Sequence, residues 1–364
     1  MESVKQVTLI TSLACHGNGE IFFGGKEDGS LYLYQTNSGR QMHKLVSHAK
    51  GVSIVSLFFD SESHTLVSTD ITSRVVAHKL ELRHHGWQTT EVLLDHYTGA
   101  AVKQVLTNPG SSRLLISTSD SGTLFSLSPD GHAAIVATLQ WEDRSSYKWG
   151  THPSDHHQLI FILNNFVHLY NWQTLERITS EGGILLEGSI LPELTIQSIT
   201  SCFNNSVIAT AFSESSRMQS GFRLLLWDAS NFTPDSKSAA PIPRYHALAD
   251  QVRSLIGSDG KRLAFLHSND WVSSAEARVA ETDRYNRHFF IPADWLTTNV
   301  TMMTEVTPNG DIIFVKRDEV AVIKRGYENI ERETSNAPQQ PGKRPSLVGR
   351  RKSPLRRSPS PRGI

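Results

Sequence analysis

The chain has 364 residues, of which 38% are hydrophobic and 20% charged, a composition that fits a globular protein and excludes a chain too polar to fold. Only two cysteines occur, Cys15 and Cys202, which excludes a disulfide framework and favours a reducing compartment. No run approaches about 18 apolar residues, so no membrane span is expected.

The formal net charge of zero hides two regions of different charge. The segment from Lys343 to Arg362 contains 8 basic residues, and no acidic residue follows Glu333. The rest of the chain keeps 28 basic and 36 acidic residues, a net charge of −8. The body is therefore acidic, which argues against a nucleic-acid groove in it, and the tail is strongly basic.

Short apolar strands followed by turns recur along the chain. The first is Leu31-Tyr32-Leu33-Tyr34, which lies between the turn signals Asp28-Gly29 and Asn37-Ser38-Gly39. Six more segments of this kind begin at Val75, Leu124, Val167, Leu224, Val272 and Val320. The spacings are 44, 49, 43, 57, 48 and 48 residues. Their mean of about 48 is slightly above the roughly 40–45 residues of a four-stranded propeller blade.

The same strand–turn–strand pattern precedes these strands. In residues 52–80 the first turn is Asp60-Ser61. The pattern recurs in residues 102–127, 252–272 and 301–323. The first of these segments contains the turns Asn108-Pro109-Gly110 and Asp120-Ser121-Gly122. The second contains Ser258-Asp259-Gly260, and the third contains Pro308-Asn309-Gly310. These residue types tolerate positive φ or form Asx turns, so they predict tight connections between antiparallel strands.

Several residues resemble the signature of the WD-repeat family of β-propellers. Trp227-Asp228 is the literal Trp-Asp dipeptide, and Ser47-His48 stands where the family has Gly-His. The residues that stand at the Asp turn before a third strand, or near the Trp position, are Asp28, Asp120, Tyr34, His78 and Trp172. The resemblance covers residues 6–325. Within the family, residues 22–81 look most like the C-terminal propellers of fungal NACHT-type, NLR-like signalling proteins.

The resemblance implies an all-β, seven-bladed β-propeller in residues 1–327. Each blade is expected to end in a fourth, outer strand, with residues 41–46, 88–94 and 133–139 as candidates. The last blade has no obvious fourth strand because residues 326–334 are polar. Either the ring is imperfectly closed, or the chain is a fragment of a longer one. Residues 328–364 are rich in Pro, Ser and Arg and are expected to be disordered.

The sequence shows little sign of catalytic chemistry. It contains no P-loop and no G-x-S-x-G nucleophile elbow. The cluster His152, Asp155, His156 and His157 has zinc-ligand residue types, but its spacing matches no closed zinc site, so a solvated loop is expected. No metal or cofactor is predicted. As in the resembled family, His48 is expected to make a structural hydrogen bond to an Asp or Ser of its own blade.

Two functional classes remain open at this point. One is a non-enzymatic protein-interaction scaffold, or the sensing end of a larger signalling protein. The other is a propeller enzyme with its active site at the central channel. The loops at residues 47–50 and 97–100 show no repeated set of carboxylates or histidines, which favours the scaffold. Binding is expected on one rim of the ring, with His48, Lys50 and Tyr97 as candidate contacts.

The tail carries a second prediction. Ser353, Ser358 and Ser360 each precede a proline. They lie within or beside a basic cluster formed by Arg350, Arg351, Lys352, Arg356 and Arg357. The more specific hypothesis is that the tail is a nuclear-import signal, which phosphorylation weakens. The alternative is that the tail is solvated and that no partner recognises it. The expected partners are proteins, with nucleic acid reached only through the tail, and the expected location is intracellular, either cytoplasmic or nuclear.

Overall fold

The computed structural model describes residues 8–84, 86–108, 112–128, 133–141, 146–187, 194–214, 222–276, 285–296 and 302–327. These residues form 27 strands in seven sheets, one α-helix, α1 (Ala293–Leu296), and two short 3₁₀ helices. The prediction of an all-β, seven-bladed β-propeller is confirmed. Among the residues described, no helix has the length and apolarity needed to cross a bilayer.

The first three blades are regular four-stranded antiparallel sheets, each formed by four consecutive strands. Blade 1 contains β1 (Ile10–Cys15), β2 (Ile21–Lys26), β3 (Ser30–Gln35) and β4 (Arg40–Ser47). Blade 2 contains β5 (Ile54–Asp60), β6 (Thr65–Asp70), β7 (Arg74–Arg83) and β8 (Gly86–Tyr97). Blade 3 contains β9 (Gln104–Thr107), β10 (Arg113–Ser117), β11 (Ser121–Leu127) and β12 (Ala133–Gln140). The three predicted fourth strands are therefore confirmed.

One irregular segment joins the outer edges of blades 4 and 5. Blade 4 contains β13 (Tyr147–Thr151), β14 (Gln158–Leu163), β15 (Phe166–Asn171) and β16 (Ile184–Leu186). Blade 5 contains β17 (Leu194–Cys202), β18 (Val207–Glu214) and β19 (Phe222–Asp228). The next strand, β20 (Ser238–Ala239), pairs in parallel with β16 of blade 4. Pro241 then bridges to Trp227, so one segment joins the outer edges of both blades. The expectation of a regular fourth strand in every blade is wrong for blade 5.

Blades 6 and 7 complete the ring. Blade 6 contains β21 (Val252–Ser258), β22 (Arg262–His267), β23 (Trp271–Glu276) and β24 (Asn286–Phe290). Blade 7 contains β25 (Met303–Val306), β26 (Ile312–Lys316) and β27 (Glu319–Ile323), with no fourth strand within the described part of the chain. Residues 328–334, which the sequence analysis considered too polar for that strand, lie outside the described residues.

The first strands of the seven blades form the innermost circle, in which each one contacts the next and β25 contacts β1. No strand is shared between blades 7 and 1 in the described residues. The backbone N–H of Ile10 donates to the carbonyl of Arg317 at 2.8 Å, and the side-chain amide of Asn309 donates to the carbonyl of Asn18 at 2.8 Å. In the described part of the chain, blades 7 and 1 therefore meet through side-by-side packing and a few hydrogen bonds.

The core consists of seven apolar clusters, one between each pair of neighbouring blades. Each sheet thus buries both of its faces against its neighbours. Fully buried side chains such as Phe23 and Phe265 contribute about 1.5–3 kcal/mol each. The smallest cluster, which we call the closing seam, lies between blades 7 and 1 and contains Ile10, Phe22, Tyr34, Ile313 and Val315.

Candidate functional site

A buried polar network centred on His48 fixes one corner of blade 2. His48 lies in the loop between β4 and β5. Its Nδ1 donates to Oδ2 of Asp70 at 2.7 Å, and its Nε2 lies 2.8 Å from the hydroxyl of Ser68. The side chains of His48 and Asp70 are only 1% and 2% exposed. The loop that joins blades 1 and 2 is therefore tied to β6 by a hydrogen bond to a carboxylate, a strong class of hydrogen bond.

Asp70 also orders the turn that follows it. Its Oδ1 accepts hydrogen bonds from the backbone N–H of Thr72 at 2.9 Å, from the hydroxyl of Thr72 at 2.6 Å and from the backbone N–H of Arg74 at 3.2 Å. Burial raises the pKa of the Asp70 carboxyl, but the hydrogen bonds from Thr72, His48 and Arg74 outweigh it and hold the pKa below its usual value. The carboxylate therefore stays ionised and organises both loops.

Asp70, His48 and Ser68 have the connectivity of a catalytic triad but lack its accessibility. A nucleophilic serine must be open to the substrate that it attacks. Ser68 is 0% exposed, and His48 is 6% exposed. The arrangement therefore stabilises the fold and does not reach a substrate.

The neighbouring turn of blade 1 supports the same loop. Asp28 accepts hydrogen bonds from the backbone N–H of Ser30 at 2.9 Å and from the hydroxyl of Ser30. The carbonyl of Gly29 accepts the backbone N–H of His48 at 2.8 Å. Gly29 has φ of 84°, and a Cβ there would lie 2.6 Å from the carbonyl oxygen of Ala49. Only glycine therefore allows this close approach.

Strand register identifies the residues that are equivalent to Trp227. Trp227 occupies the second-last pair of the ladder between β18 and β19. Tyr34 holds the same position in blade 1, and His78 holds it in blade 2. In blade 4 Tyr170 holds it, and Trp172 lies two residues further along. The structure does not bring these residues together, because each one lies within its own blade.

The remaining WD-like residues have local structural contacts. The indole N–H of Trp227, a side chain with 0% exposure, donates to the hydroxyl of Thr210 at 2.8 Å. Asp228 caps the 3₁₀ helix Ala229–Asn231 by accepting the backbone N–H of Ser230 at 2.9 Å. Asp120 accepts a hydrogen bond from the hydroxyl of Thr118 at 2.9 Å. Each of these three side chains is therefore held by a local hydrogen bond that serves the fold of its own blade.

Two exposed apolar side chains and an arginine lie on or next to the turns beside the His48 network. Ile71, the residue after Asp70, is 61% exposed, and Tyr97 is 62% exposed. Arg74, which pairs with Tyr97 across β7 and β8, makes hydrogen bonds of 2.7 and 2.6 Å to the carboxylate of Asp95. Its guanidinium carbon lies 5.9 Å from the centre of the Tyr97 ring. We call Ile71, Arg74 and Tyr97 the blade 2 rim.

The rim contacts predicted from the sequence are partly wrong. His48 is buried beneath the surface, because both of its ring nitrogens face residues of β6, and it is not available to a partner. Lys50 and Tyr97 are exposed as expected. The sequence pattern gave no indication of Ile71 or Arg74 as rim residues. The Asp-Ile-Thr turn signal at the end of β6 could have located Ile71.

The innermost circle of strands contains an unusual pair of ionisable groups. Glu305 lies on β25, and Cys15 lies on the neighbouring β1. Burial raises the pKa of Glu305 to about 7. Burial, and to a smaller extent the charge of Glu305, raises the pKa of the Cys15 thiol far above its usual value. Because the thiolate is the nucleophilic form of cysteine, this surrounding opposes nucleophilic chemistry at Cys15.

The histidine-rich loop between β13 and β14 has structural contacts. His152 is buried; its Nδ1 accepts backbone N–H groups two and three residues further on, and its Nε2 donates to the carbonyl of Phe232 at 3.0 Å. Asp155 accepts the backbone N–H of His157 at 2.9 Å. His156 and His157 are exposed. Among the described residues, no group of three or more His, Cys, Asp or Glu side chains is placed to hold a metal ion.

The predicted tail residues cannot be placed. Ser353, Ser358, Ser360 and the basic cluster all lie outside the described residues. Their proposed role therefore stays a prediction from the sequence.

Comparison with known proteins defines the class of protein by its fold. The β-propeller domain of Cps50 (Swd1) from Myceliophteria thermophila superposes with a TM-score of 0.61 at 12% identity, covering 89% of this chain and 99% of that one. Sqt1 from Saccharomyces cerevisiae superposes with a TM-score of 0.57 at 14% identity, covering 90% and 85% of the two chains. The chain is a seven-bladed β-propeller, and identities this low show the fold alone.

One curated protein is similar in sequence. Pre-mRNA-processing factor 19 of Schizosaccharomyces pombe (strain 972 / ATCC 24843) is 30% identical to this chain over 189 residues. The similarity covers 49% of this chain but only 31% of that protein, so the chain spans about a third of the relative's length. No family model matches the chain.

The His48 network predicts a specific stability defect. Replacing His48 with alanine leaves the buried Asp70 carboxylate without one of its donors, and we expect a loss of about 2–4 kcal/mol in the free energy of unfolding at pH 7.5. Urea denaturation measures this loss. His157→Ala, at an exposed histidine, serves as the control and should cost less than about 0.5 kcal/mol. Equal stabilities for the two variants would contradict the structural role of His48.

The raised pKa of Glu305 predicts that its contribution to stability falls as the pH rises, whereas a carboxylate with a lowered pKa contributes more stability at higher pH. Its pKa is raised in the folded state to about 7, so its protonated form stabilises the ring fully below about pH 4.5, and this stability is lost as the pH rises through 7. We expect Glu305→Gln to stabilise the protein by about 1–3 kcal/mol at pH 8.5 and to have little effect at pH 4.5. Urea denaturation at both pH values, with the exposed Glu319→Gln on β27 as control, tests this. A Glu305→Gln effect that is the same at both pH values would refute it.

Proposed function

We propose that this chain is a non-enzymatic protein-interaction scaffold that binds its partner through the blade 2 rim. The observation that carries the proposal is the exposure of Ile71 and Tyr97, at 61% and 62%, directly above a buried polar network. Arg74, three residues after Ile71, pairs with Tyr97 across β7 and β8, so the exposed aromatic and aliphatic side chains belong to one end of blade 2 and can serve a partner as a binding surface. Loops held on a rigid scaffold are the usual place for recognition.

The residue types of the blade 2 rim, and the hydrogen bonds that hold parts of it, suit tight binding. Tyrosine and arginine are among the residues that most often dominate the energy of protein interfaces. Arg74 is already held by Asp95 through two hydrogen bonds, and the turn that carries Ile71 is held by Asp70. A partner would therefore meet an arginine side chain and a turn backbone that have little conformational entropy left to lose.

Two features support a scaffold over a propeller enzyme. The Ser-His-Asp arrangement of blade 2 is closed to solvent. The thiol of Cys15 has a strongly raised pKa because of burial and the nearby Glu305. Both groups of catalytic residue type are thus arranged for stability, and neither favours the alternative function.

Finer elements of the proposal come from the sequence. The resemblance of residues 22–81 to fungal NACHT-type propellers supports a role as the sensing end of a larger signalling protein. We further propose a ring in residues 1–327 followed by a disordered basic tail in residues 328–364. The basic tail and the similarity to a pre-mRNA-processing factor favour a nuclear over a cytoplasmic location.

The binding proposal predicts the effect of removing the rim. In a double variant with Ile71→Ser and Tyr97→Ser, a specific partner should be recovered at least about tenfold less, because two interface anchors are lost. The measurement is quantitative affinity purification of the tagged full chain from extract of its source organism. Leu82→Ser is the matched control, since Leu82 is 67% exposed at the other end of β7. Unchanged recovery with the double variant, or an equal loss with Leu82→Ser, would contradict the proposal.

The tail proposal has a separate test. Each phosphate adds roughly −1.5 to −2 charges at neutral pH, so three phosphates would offset most of the 8 basic residues between Lys343 and Arg362. A fluorescent reporter fused to residues 336–364 should accumulate in the nucleus. A version with Ser353, Ser358 and Ser360 replaced by aspartate should accumulate less. An even distribution of both reporters would reject the import signal and the switch.

A further inference from the structure

The outer strand of blade 3, β12, is a free sheet edge in the described part of the chain. It is the last strand of its sheet, and among the described residues no strand pairs with its outer side. In an antiparallel strand, every second residue directs its backbone N–H and C=O away from its neighbour. These outward groups can therefore form a ladder with an added strand.

The side chains of β12 do not protect this edge. The strand has the sequence Ala-Ala-Ile-Val-Ala-Thr-Leu-Gln, which contains no charged residue. Ile135 is 61% exposed, and Val136 is 38% exposed. β-Branched side chains fit the extended conformation, and an edge without charges lacks the main side-chain barrier to pairing with another strand.

The other fourth strands of the blades are protected by charge or by cover. β4 contains Arg40 and Lys44, β8 contains Glu91 and Asp95, and β24 contains Arg287. Charged side chains oppose pairing with a copy of the same strand, because like charges would meet across the ladder. In blade 4, β20 covers the edge of β16. Within the described ring, β12 has neither form of protection.

Blade 4 shows that an outer edge of this ring accepts an added strand. The backbone N–H of Leu185 donates to the carbonyl of Lys237 at 2.9 Å, and the N–H of Glu187 donates to the carbonyl of Ala239 at 2.8 Å. These bonds extend the sheet of blade 4 to five strands. A fifth strand on blade 3 would use the same kind of backbone bond.

A bulge divides β12 into two regular parts. Phe125 of β11 pairs with Ile135, and Leu124 pairs with Ala137, so Val136 is the extra residue. A bulge increases the local twist and limits the length of a straight ladder. Residues 133–135 and 137–140 keep a continuous register with β11 on either side of it. Each of these two parts can therefore pair with an added strand.

The charge of β12 and of the whole chain suits a second copy of this chain as the added strand. An antiparallel pair of β12 strands about a two-fold axis uses the same residues twice. Because β12 has no charged residue, this pair brings no like charges together. The formal net charge of the whole chain is zero, so no net charge repulsion opposes the approach of two copies.

We propose that two copies of this chain associate by antiparallel pairing of their β12 strands, which joins the two blade 3 sheets into one continuous sheet. A strand of eight residues is only about 27 Å long, so the interface is smaller than the roughly 1,200–2,000 Å² of stable complexes. The dimer should therefore dissociate on dilution. The pairing uses none of the residues of the blade 2 rim, so it is independent of the binding proposed above.

Sedimentation equilibrium of the full chain tests the dimer. At about 100 μM the native protein should approach twice its chain mass of 40.5 kDa, and at about 1 μM the mass should fall towards that of one chain. Ile135→Lys places a positive charge on the pairing edge of each copy and should raise the dissociation constant at least about tenfold.

Met42→Lys is the matched control, because Met42 is 50% exposed on the outer strand β4 of blade 1. This variant should dimerise like the native protein. A native protein that is monomeric at both concentrations, assemblies larger than a dimer, or an equal effect of Met42→Lys would overturn the proposal.

Hydrogen exchange of the native protein locates the interface without any variant. Peptides covering residues 133–140 should exchange at least about threefold more slowly at about 100 μM than at about 1 μM, because the dimer adds a ladder to that edge. Peptides covering residues 40–47 of β4 should exchange at the same rate at both concentrations. A dimer without slower exchange in residues 133–140 would overturn the proposal even where Ile135→Lys fails to fold.

Discussion

Every blade of this protein depends on burying both faces of a small sheet against its two neighbours. A sheet of three or four short strands cannot do this alone, so the seven apolar clusters between blades supply the stability that the single sheets lack. The closing seam between blades 7 and 1 is the smallest of these clusters. Blade 7 also has three strands in the described residues, so within that part of the chain the ring has the least support where blades 7 and 1 meet.

The corner of blade 2 shows how such a ring can present a binding surface. Asp70 lies at the end of β6 and holds both the loop from blade 1 and the turn that carries Ile71. Its ionised carboxylate is kept buried by hydrogen bonds, which makes the corner rigid without making it reactive. The exposed side chains of the blade 2 rim therefore stand beside a buried, hydrogen-bonded polar network, and this network links the fold to the proposed binding.

The sequence predicted the repeated part of the fold well. All seven third strands lie where the short apolar segments predicted them, because apolar runs between Asp, Asn and Gly turns specify strands locally. The parallel pairing of β20 with blade 4 was not predicted, since two residues carry no periodic pattern and the pairing is set by the neighbouring blade. The residue type of Trp172 indicated it as the equivalent of Trp227, whereas strand register, which the sequence does not show, gives this position to Tyr170.

The site was predicted less well than the fold. His48 was recognised by its place before β5, but its burial and its partners Asp70 and Ser68 depend on contacts about 20 residues apart in sequence. The turn contacts of His152 could not be distinguished from those of a solvated histidine, because the sequence does not show which ring nitrogen meets a backbone N–H. Exposure of Ile71 is equally a property of the assembled corner and not of its local sequence.

The central claim is that packing between blades stabilises the ring and that the closing seam is its weakest junction. Native-state hydrogen exchange under increasing urea tests this most directly, because it gives the opening free energy of each strand. The account predicts that β1 and β26, which border the seam, open at lower free energy than β14 and β18, which border the largest cluster, between blades 4 and 5. Opening free energies for β1 and β26 equal to or above those of β14 and β18 would contradict it.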